Sequence, residues 1–261
     1  MKPLLLAIAL AACANGPSQP TASADVVIAA ERAFAARAAE IGWVPAFRAY
    51  ASADAMLGQP GYPNAQAALA ETPDDGNRNL QWWPAFAGMA VSGEFGFTTG
   101  PVSFDEARTP RGHYFTVWRR QSDGAWKWIY DGGVGPIEAP ALIAQHAADV
   151  PSLPVARAGL GSPDAAIAVV RALEAEGALA YAPQAQRFRT RQPRALGAPA
   201  EPPLSAGYAI ARIEASAAGD MVMVLGEGAE GLFARIWQLQ PEGWRVVYDQ
   251  LSQQRPPPAP G

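Results

Sequence analysis

The chain has 261 residues, 49% hydrophobic and 17% charged, so it can bury a sizeable core and fits one large or two small domains. A formal net charge of −4 leaves no electrostatic footprint for nucleic acid. A single cysteine, Cys13, excludes an intrachain disulfide and a cysteine-based metal site, and two histidines far apart do not make a zinc site.

Residues 1–13 read as a targeting segment. Lys2 is its positive end, and the apolar run from Leu4 to Ala12 is too short to span a bilayer. The order Leu10-Ala11-Ala12-Cys13 resembles a bacterial lipobox, whose cysteine is lipidated and becomes the first residue of the mature protein. The only cysteine stands where lipidation needs it, and more than one acyl chain anchors a protein firmly. Residues 14–23 are a polar tether. The expected address is the bacterial cell envelope, facing the periplasm, with the membrane as partner through the anchor. Ala14 after the cysteine favours the outer over the inner membrane, by resemblance to Gram-negative sorting. An unlipidated Cys13 would leave a plain signal peptide and a secreted chain.

A helix opens at Ser23 to Asp25, with Val27, Ala30, Phe34, Ala38 and Ile41 at helical spacing and Glu31, Arg32, Arg37 and Glu40 largely on other faces. Gly42 ends it, Pro45 opens a second helix through Ser52, residues 54–57 form a short strand, and Asn64 caps a third helix to Glu71. After a polar loop, residues 80–86, 89–91 and 93–99 read as strands, with 101–111 as a loop. Helices first and antiparallel strands afterwards predict an α+β fold.

Residues 112–131 read as a β-hairpin around Asp123-Gly124, which tolerates the positive φ of a tight turn. A two- or four-residue loop pairs Trp118 with Ile129 and Thr116 with Asp131. Tyr114, Thr116, Trp118, Ile129 and Asp131 then share one face, suited to a cleft. His113, Phe115, Val117, Trp126, Trp128 and Tyr130 share the other, suited to a packed interface. A three-residue loop with a bulge would shift this register.

Beyond a Gly-rich break at 132–136, residues 138–148 read as a linker helix carrying His146. Ser162-Pro163-Asp164 starts another helix, running to about Ala182. Capping explains Gly159-Leu160-Gly161-Ser162 better than a phosphate loop does. Arg187, Arg189 and Arg191 alternate, as on a charge-protected edge strand or a face for anionic headgroups. Strands return from Tyr208, and residues 253–261 are a Pro-rich tail.

The two halves match. Residues 93–100 lie over 219–226, 112–118 over 231–237, and Trp126, Tyr130 and Asp131 over Trp244, Tyr248 and Asp249. The expected architecture is therefore two tandem cone-shaped domains, 24–136 and 160–252, joined by a linker at 137–159. Each is a curved antiparallel sheet packed on N-terminal helices. Thr98, Thr99, His113 and Thr116 become Val224, Leu225, Leu232 and Arg235 in the second copy, so a polar-lined cavity is expected in the first.

Trp83-Pro84, Ser92-Gly93-Glu94-Phe95-Gly96 and Thr99-Gly100 precede a hairpin marked by Gly112, Tyr114, Trp118, Asp123, Gly124, Trp126, Lys127 and Asp131. Over residues 25–132 the chain resembles SnoaL-like members of the nuclear transport factor 2-like superfamily; the second half matches only through the repeat. The resemblance implies a curved sheet wrapped on helices with a cavity at its open end. Ketosteroid isomerases and polyketide cyclases of that superfamily use the cavity with an acidic residue that gives or takes a proton. Many relatives are not enzymes, and no catalytic motif of those enzymes maps onto this chain.

Asp131, Glu94 and His113 are the acid–base candidates. His113 falls on the face opposite Asp131, and Glu94 on a solvated strand start. The expected ligand-facing set is Trp83, Tyr114, Thr116, Trp118, Ile129 and Asp131, with Trp82 and Trp83 at the mouth; no metal or cofactor is expected. Two functions follow. One is non-catalytic binding of a small apolar or amphipathic molecule in the first cone, or of a protein partner or second copy through the sheet faces. The alternative is an isomerase, cyclase or hydrolase using Asp131 as general acid or base.

Overall fold

The computed structural model describes residues 22–136, 149–156, 158–200 and 208–253. The targeting segment with Cys13, the linker helix with His146 and the Pro-rich tail lie outside the described residues.

The first half runs α1 (Asp25–Ile41), α2 (Trp43–Tyr50), β1 (Ala51–Leu57), α3 (Ala65–Glu71), β2 (Gln81–Trp82), β3 (Phe86–Met89), β4 (Phe95–Ser103), β5 (Pro110–Arg120) and β6 (Trp126–Val134). The second runs α4 (Pro163–Glu176), β7 (Tyr181–Arg189), β8 (Ala195–Leu196), β9 (Ala209–Ala215), β10 (Met221–Gly228), β11 (Gly231–Gln240) and β12 (Gly243–Ser252). Among the described residues this is a mixed α+β fold of four helices and two six-stranded sheets. The Asn64 side chain accepts from the Ala67 N–H and caps α3, and Ser162 caps α4 through Ala165 in the same way. Helix α4 stops at Glu176 rather than near Ala182. Gly177 takes the left-handed conformation there, and Ala178 N–H closes onto the Leu173 carbonyl. The chain freed by that stop becomes β7.

The sheets are ordered β1-β6-β5-β4-β2, with β3 also on β4, and β8-β7-β12-β11-β10-β9. They are not wholly antiparallel, as the sequence reading has them: β1 runs parallel to β6, and β7 parallel to β12. Helices α1, α2 and α3 cover one face of the first sheet, around Phe34, Trp82, Trp118 and Trp128. Among the described residues, α4 alone of the helices covers the outer face of the second, around Val170, Val224 and Trp237. The two remaining faces pack on each other, with Phe97, Phe115 and Tyr130 meeting Met223, Ile236 and Tyr248. The layers are therefore helix, sheet, sheet, helix. Strands buried on both faces read as continuous apolar runs, and residues 221–225, MVMVL, are one such run. Phe115 and Tyr248 stack across the interface at 3.9 Å between ring centres. Phe115, Val117 and Tyr130 of the hairpin are thus covered by the chain's own second half.

The hairpin loop has three residues, Ser122 to Gly124, closed by the Gln121 N–H on the Ala125 carbonyl, with Gly124 at φ 86°. That loop shifts the register by one from a two- or four-residue loop, so Trp118 faces Trp128, not Ile129. A bulge between Val117 and Trp118 inserts Ile129 and restores the Thr116–Asp131 pair. Trp126 and Trp128 consequently join the helix side, and Ile129 turns to the inter-sheet core. A bulge at the corresponding place inserts Val247 into β12, and Arg235 faces Asp249.

The turns between β3 and β4 and between β9 and β10 clasp each other. Val91 N–H donates to Asp220 at 2.9 Å, and Ala217 N–H donates to Glu94 at 2.6 Å. Ala217 and Asp220 stand at the repeat positions of Val91 and Glu94, so each half gives the other the same bond. Glu94, expected on a solvated edge, is spent on this clasp. A ring of four charges adds to it: Arg119 and Arg212 each bind both Asp54 and Glu214. Burial works to raise Asp54, but Ser52 and the two arginines bring it down to about 2.

Candidate functional site

A cavity of about 500 Å³ opens beside β5 and β6. Phe47 from α2, Leu80 and Trp82, Val102 and Phe104, and Tyr114 supply an apolar and aromatic wall. The wall is completed by Asp131 and the strand-end segment Gly132 to Pro136. Glycine lets the strands close tightly here: a Cβ on Gly112 would stand 2.7 Å from the Val134 carbonyl oxygen.

Of the expected ligand-facing residues, Tyr114 and Asp131 line the cavity, and the other four do not. Of the two tryptophans expected at the mouth, Trp82 lines the cavity, whereas the Trp83 ring lies under the Arg108 guanidinium at 4.5 Å. Trp118 is fully buried behind the wall, and Thr116 beside it donates to Asp131 at 2.8 Å. Ile129 is on the opposite face for the reason given above. His113 is also at the cavity, and its ring centre lies 4.3 Å from that of Phe188 in the second half. Burial and then Arg194 lower it to about 3, so it is neutral at physiological pH. Tyr114 is buried, its hydroxyl has no hydrogen-bond partner among the described residues, and nearby Thr98 donates to Glu31.

Glu31 is the residue that sequence reasoning missed. It is wholly buried, and its carboxylate accepts from Trp82 Nε1 at 2.5 Å, Trp118 Nε1 at 3.0 Å and the Thr98 hydroxyl. Burial raises its pKa against the pull of these donors. Asp131 is raised well above its ordinary value, first by burial and then by the Glu31 charge, with Thr116 opposing. Neither carboxylate has a salt bridge among the described residues. The first half thus holds two neighbouring acids with no basic partner, and one of them faces a cavity.

The second half repeats the geometry with the charge filled in. Glu174 of α4 accepts from Trp237 Nε1 at 2.7 Å, as Glu31 does from Trp118. Arg235, at the position of Thr116, reaches Glu174 at 2.5 Å and Asp249 at 3.1 Å. Arg189 and Tyr181 bind the other oxygen of Asp249 at 2.5 and 2.7 Å. Arg189 is therefore an ion-pair residue on a strand between β8 and β12, not part of a charged edge. Burial would raise Asp249, but Arg235 and Arg189 hold it at about 2. Glu174 stays above its ordinary value because burial outweighs its share of the guanidinium.

Among the described residues, no three His, Cys, Asp or Glu side chains gather as a metal site would need, and no helix is long and apolar enough to cross a membrane. No protein-family model matches the chain, and no curated protein matches it. Among solved structures, one similar chain is a candidate ketosteroid isomerase from Shewanella frigidimarina NCIMB 400. It is 16% identical with a TM-score of 0.30, and the match covers 42% of this chain and 94% of that one.

Proposed function

We propose that the first half binds a small apolar or amphipathic molecule in its cavity, with Asp131 and Tyr114 as the polar contacts, and that the second half is a packed support. The observation that carries this is the pairing of an apolar, aromatic-walled space of about 500 Å³ with two polar side chains that lack a charged partner among the described residues. Binding sites have this composition: mostly apolar, with a few placed polar groups. Nile red is expected to bind the whole chain at one saturable site, and Leu80→Trp, which places an indole at the wall, is expected to abolish that binding. Wild-type protein that gives no saturable fluorescence rise rules the reading out.

The second reading, acid–base catalysis on a small molecule, is favoured by one observation: the Asp131 carboxyl beside the cavity is shifted in the direction a general acid requires. Under that reading Asp131→Asn abolishes turnover of a substrate while leaving Nile red affinity in place.

We also propose that the two halves are copies of one tandem-duplicated cone domain. Shared strand order, the two bulges, the reciprocal turn bonds and the matching Glu–Trp pairs support it. The mature chain is a lipid-anchored envelope protein facing the periplasm, on the strength of the Leu-Ala-Ala-Cys order ending at Cys13. Cys13→Ser is expected to move the protein from the membrane pellet to the soluble fraction of producing cells. A wild-type chain already soluble contradicts the anchor.

A further inference from the structure

The two halves place the same pair of acids around different central residues. In the second half, the Arg235 guanidinium lies between Glu174 and Asp249. In the first half, Glu31 and Asp131 hold the corresponding positions, each glutamate marked by its bond to the corresponding tryptophan. Thr116 stands where Arg235 would, and no lysine or arginine among the described residues pairs with either acid. Threonine lacks the long stem and the planar cation of arginine, and a cavity opens beside Asp131. The chain thus carries its own example of what balances this pair of acids: a planar organic cation.

The walls suit the same occupant. Phe47, Trp82, Phe104 and Tyr114 present aromatic rings to the cavity, and ring faces attract cations. An anion meets Asp131 with Glu31 behind it; Arg111, which also lines the cavity, is exposed and paired with Asp105 at 3.9 Å. A bare calcium ion needs six to eight oxygen ligands, which Asp131 and Tyr114 do not supply.

We propose that the cavity selects an organic cation, with an ammonium or guanidinium end seated at Asp131 and an apolar body along Phe47, Leu80 and Val102. This rests on the cavity being a binding site, as argued above. The ligand's charge does for Asp131 what Arg235 does for Asp249. Glu31 does not line the cavity; it acts through its charge and through the indoles it positions.

The test is isothermal titration calorimetry on the whole chain at neutral pH with three probes of one shape. These are 2-naphthylmethylammonium, 2-naphthylmethanol and 2-naphthoate. The ammonium is expected to bind at least about tenfold more tightly than the alcohol, and the carboxylate most weakly, as a buried charge-assisted contact requires. Asp131→Asn is expected to bring ammonium and alcohol within about threefold of each other, since only the charge-assisted part is lost. Thr116→Arg supplies a guanidinium from the chain itself and is expected to remove ammonium binding. Alcohol binding as tightly as ammonium overturns the cation proposal and leaves the cavity reading standing. An ammonium advantage that survives in both variants also overturns it. Failure of all three probes to bind overturns the cavity reading and this proposal together.

Discussion

Replacing Asp131 with asparagine is expected to make the fold more stable at neutral pH, by an amount that grows as the pH rises. Burial, and then the Glu31 charge, hold the folded Asp131 well above its ordinary value of 3.8. Below that value both the folded and the unfolded chain carry the proton, and the group does not affect stability. Above it the unfolded chain loses the proton while the folded chain keeps it. The Asp131 contribution to stability therefore falls by about 1.4 kcal/mol per pH unit until the folded carboxyl titrates. Asparagine keeps the shape and does not titrate, and Thr116 can still donate to its oxygen. Urea unfolding of both proteins at pH values rising from about 4 should show the gap between them opening as the unfolded carboxyl ionises and the folded one keeps its proton. A gap that stays constant would mean Asp131 is ionised in the empty site. A side chain that costs stability at the pH where the protein works is the expected mark of a functional group.

Arg235 should show the opposite. Arg235→Met keeps much of the stem and removes the guanidinium, leaving Glu174 buried without its cation. Asp249 retains Arg189. Breaking one side of a buried ion pair costs about 3–5 kcal/mol. Adding Glu174→Gln should recover more than half of that, because the uncompensated charge is then gone. The Asp249 part of the stabilisation is complete above its ordinary value of 3.8 and is lost as the pH falls through about 2. The cost of Arg235→Met should accordingly shrink in acid. Chemical denaturation of the single and double variants checks this, and a single-variant cost of under about 1 kcal/mol would remove the network from the account.

The parts of the fold that were legible in the sequence were those set by local chemistry. Asn64 and Ser162 cap the helices they precede, and alternation sorted Tyr114, Thr116 and Trp118 from Phe115 and Val117. Loop length and bulge position are not local in that sense. Asp123-Gly124 marks a turn but fits several loop lengths, and one residue of slip sent Trp128 and Ile129 to the wrong faces. The Thr116–Asp131 pair was read correctly because the slip and the bulge cancel before reaching it.

Glu31 had a signal that was overlooked. Val27, Glu31, Phe34 and Ala38 follow steps of four, three and four, so the glutamate lies in the middle of the buried stripe. Its charge argued for solvent, and only the indole donors brought from β2 and β5 make burial tolerable. The strand β7 was hidden for a related reason. Its arginines suggested solvent or lipid, whereas Arg189 has a buried carboxylate waiting on β12.

The clasp between the two turns joins two halves of one polypeptide. When two separate, identical polypeptides meet about a twofold axis, every change made in one is made in the other, so a threonine at a given place is a threonine in both. Here the two facing halves lie on one chain, and that constraint does not apply. One unit can hold Arg235 and be sealed for strength, while its counterpart keeps Thr116 and bears the strain of an open, acidic pocket.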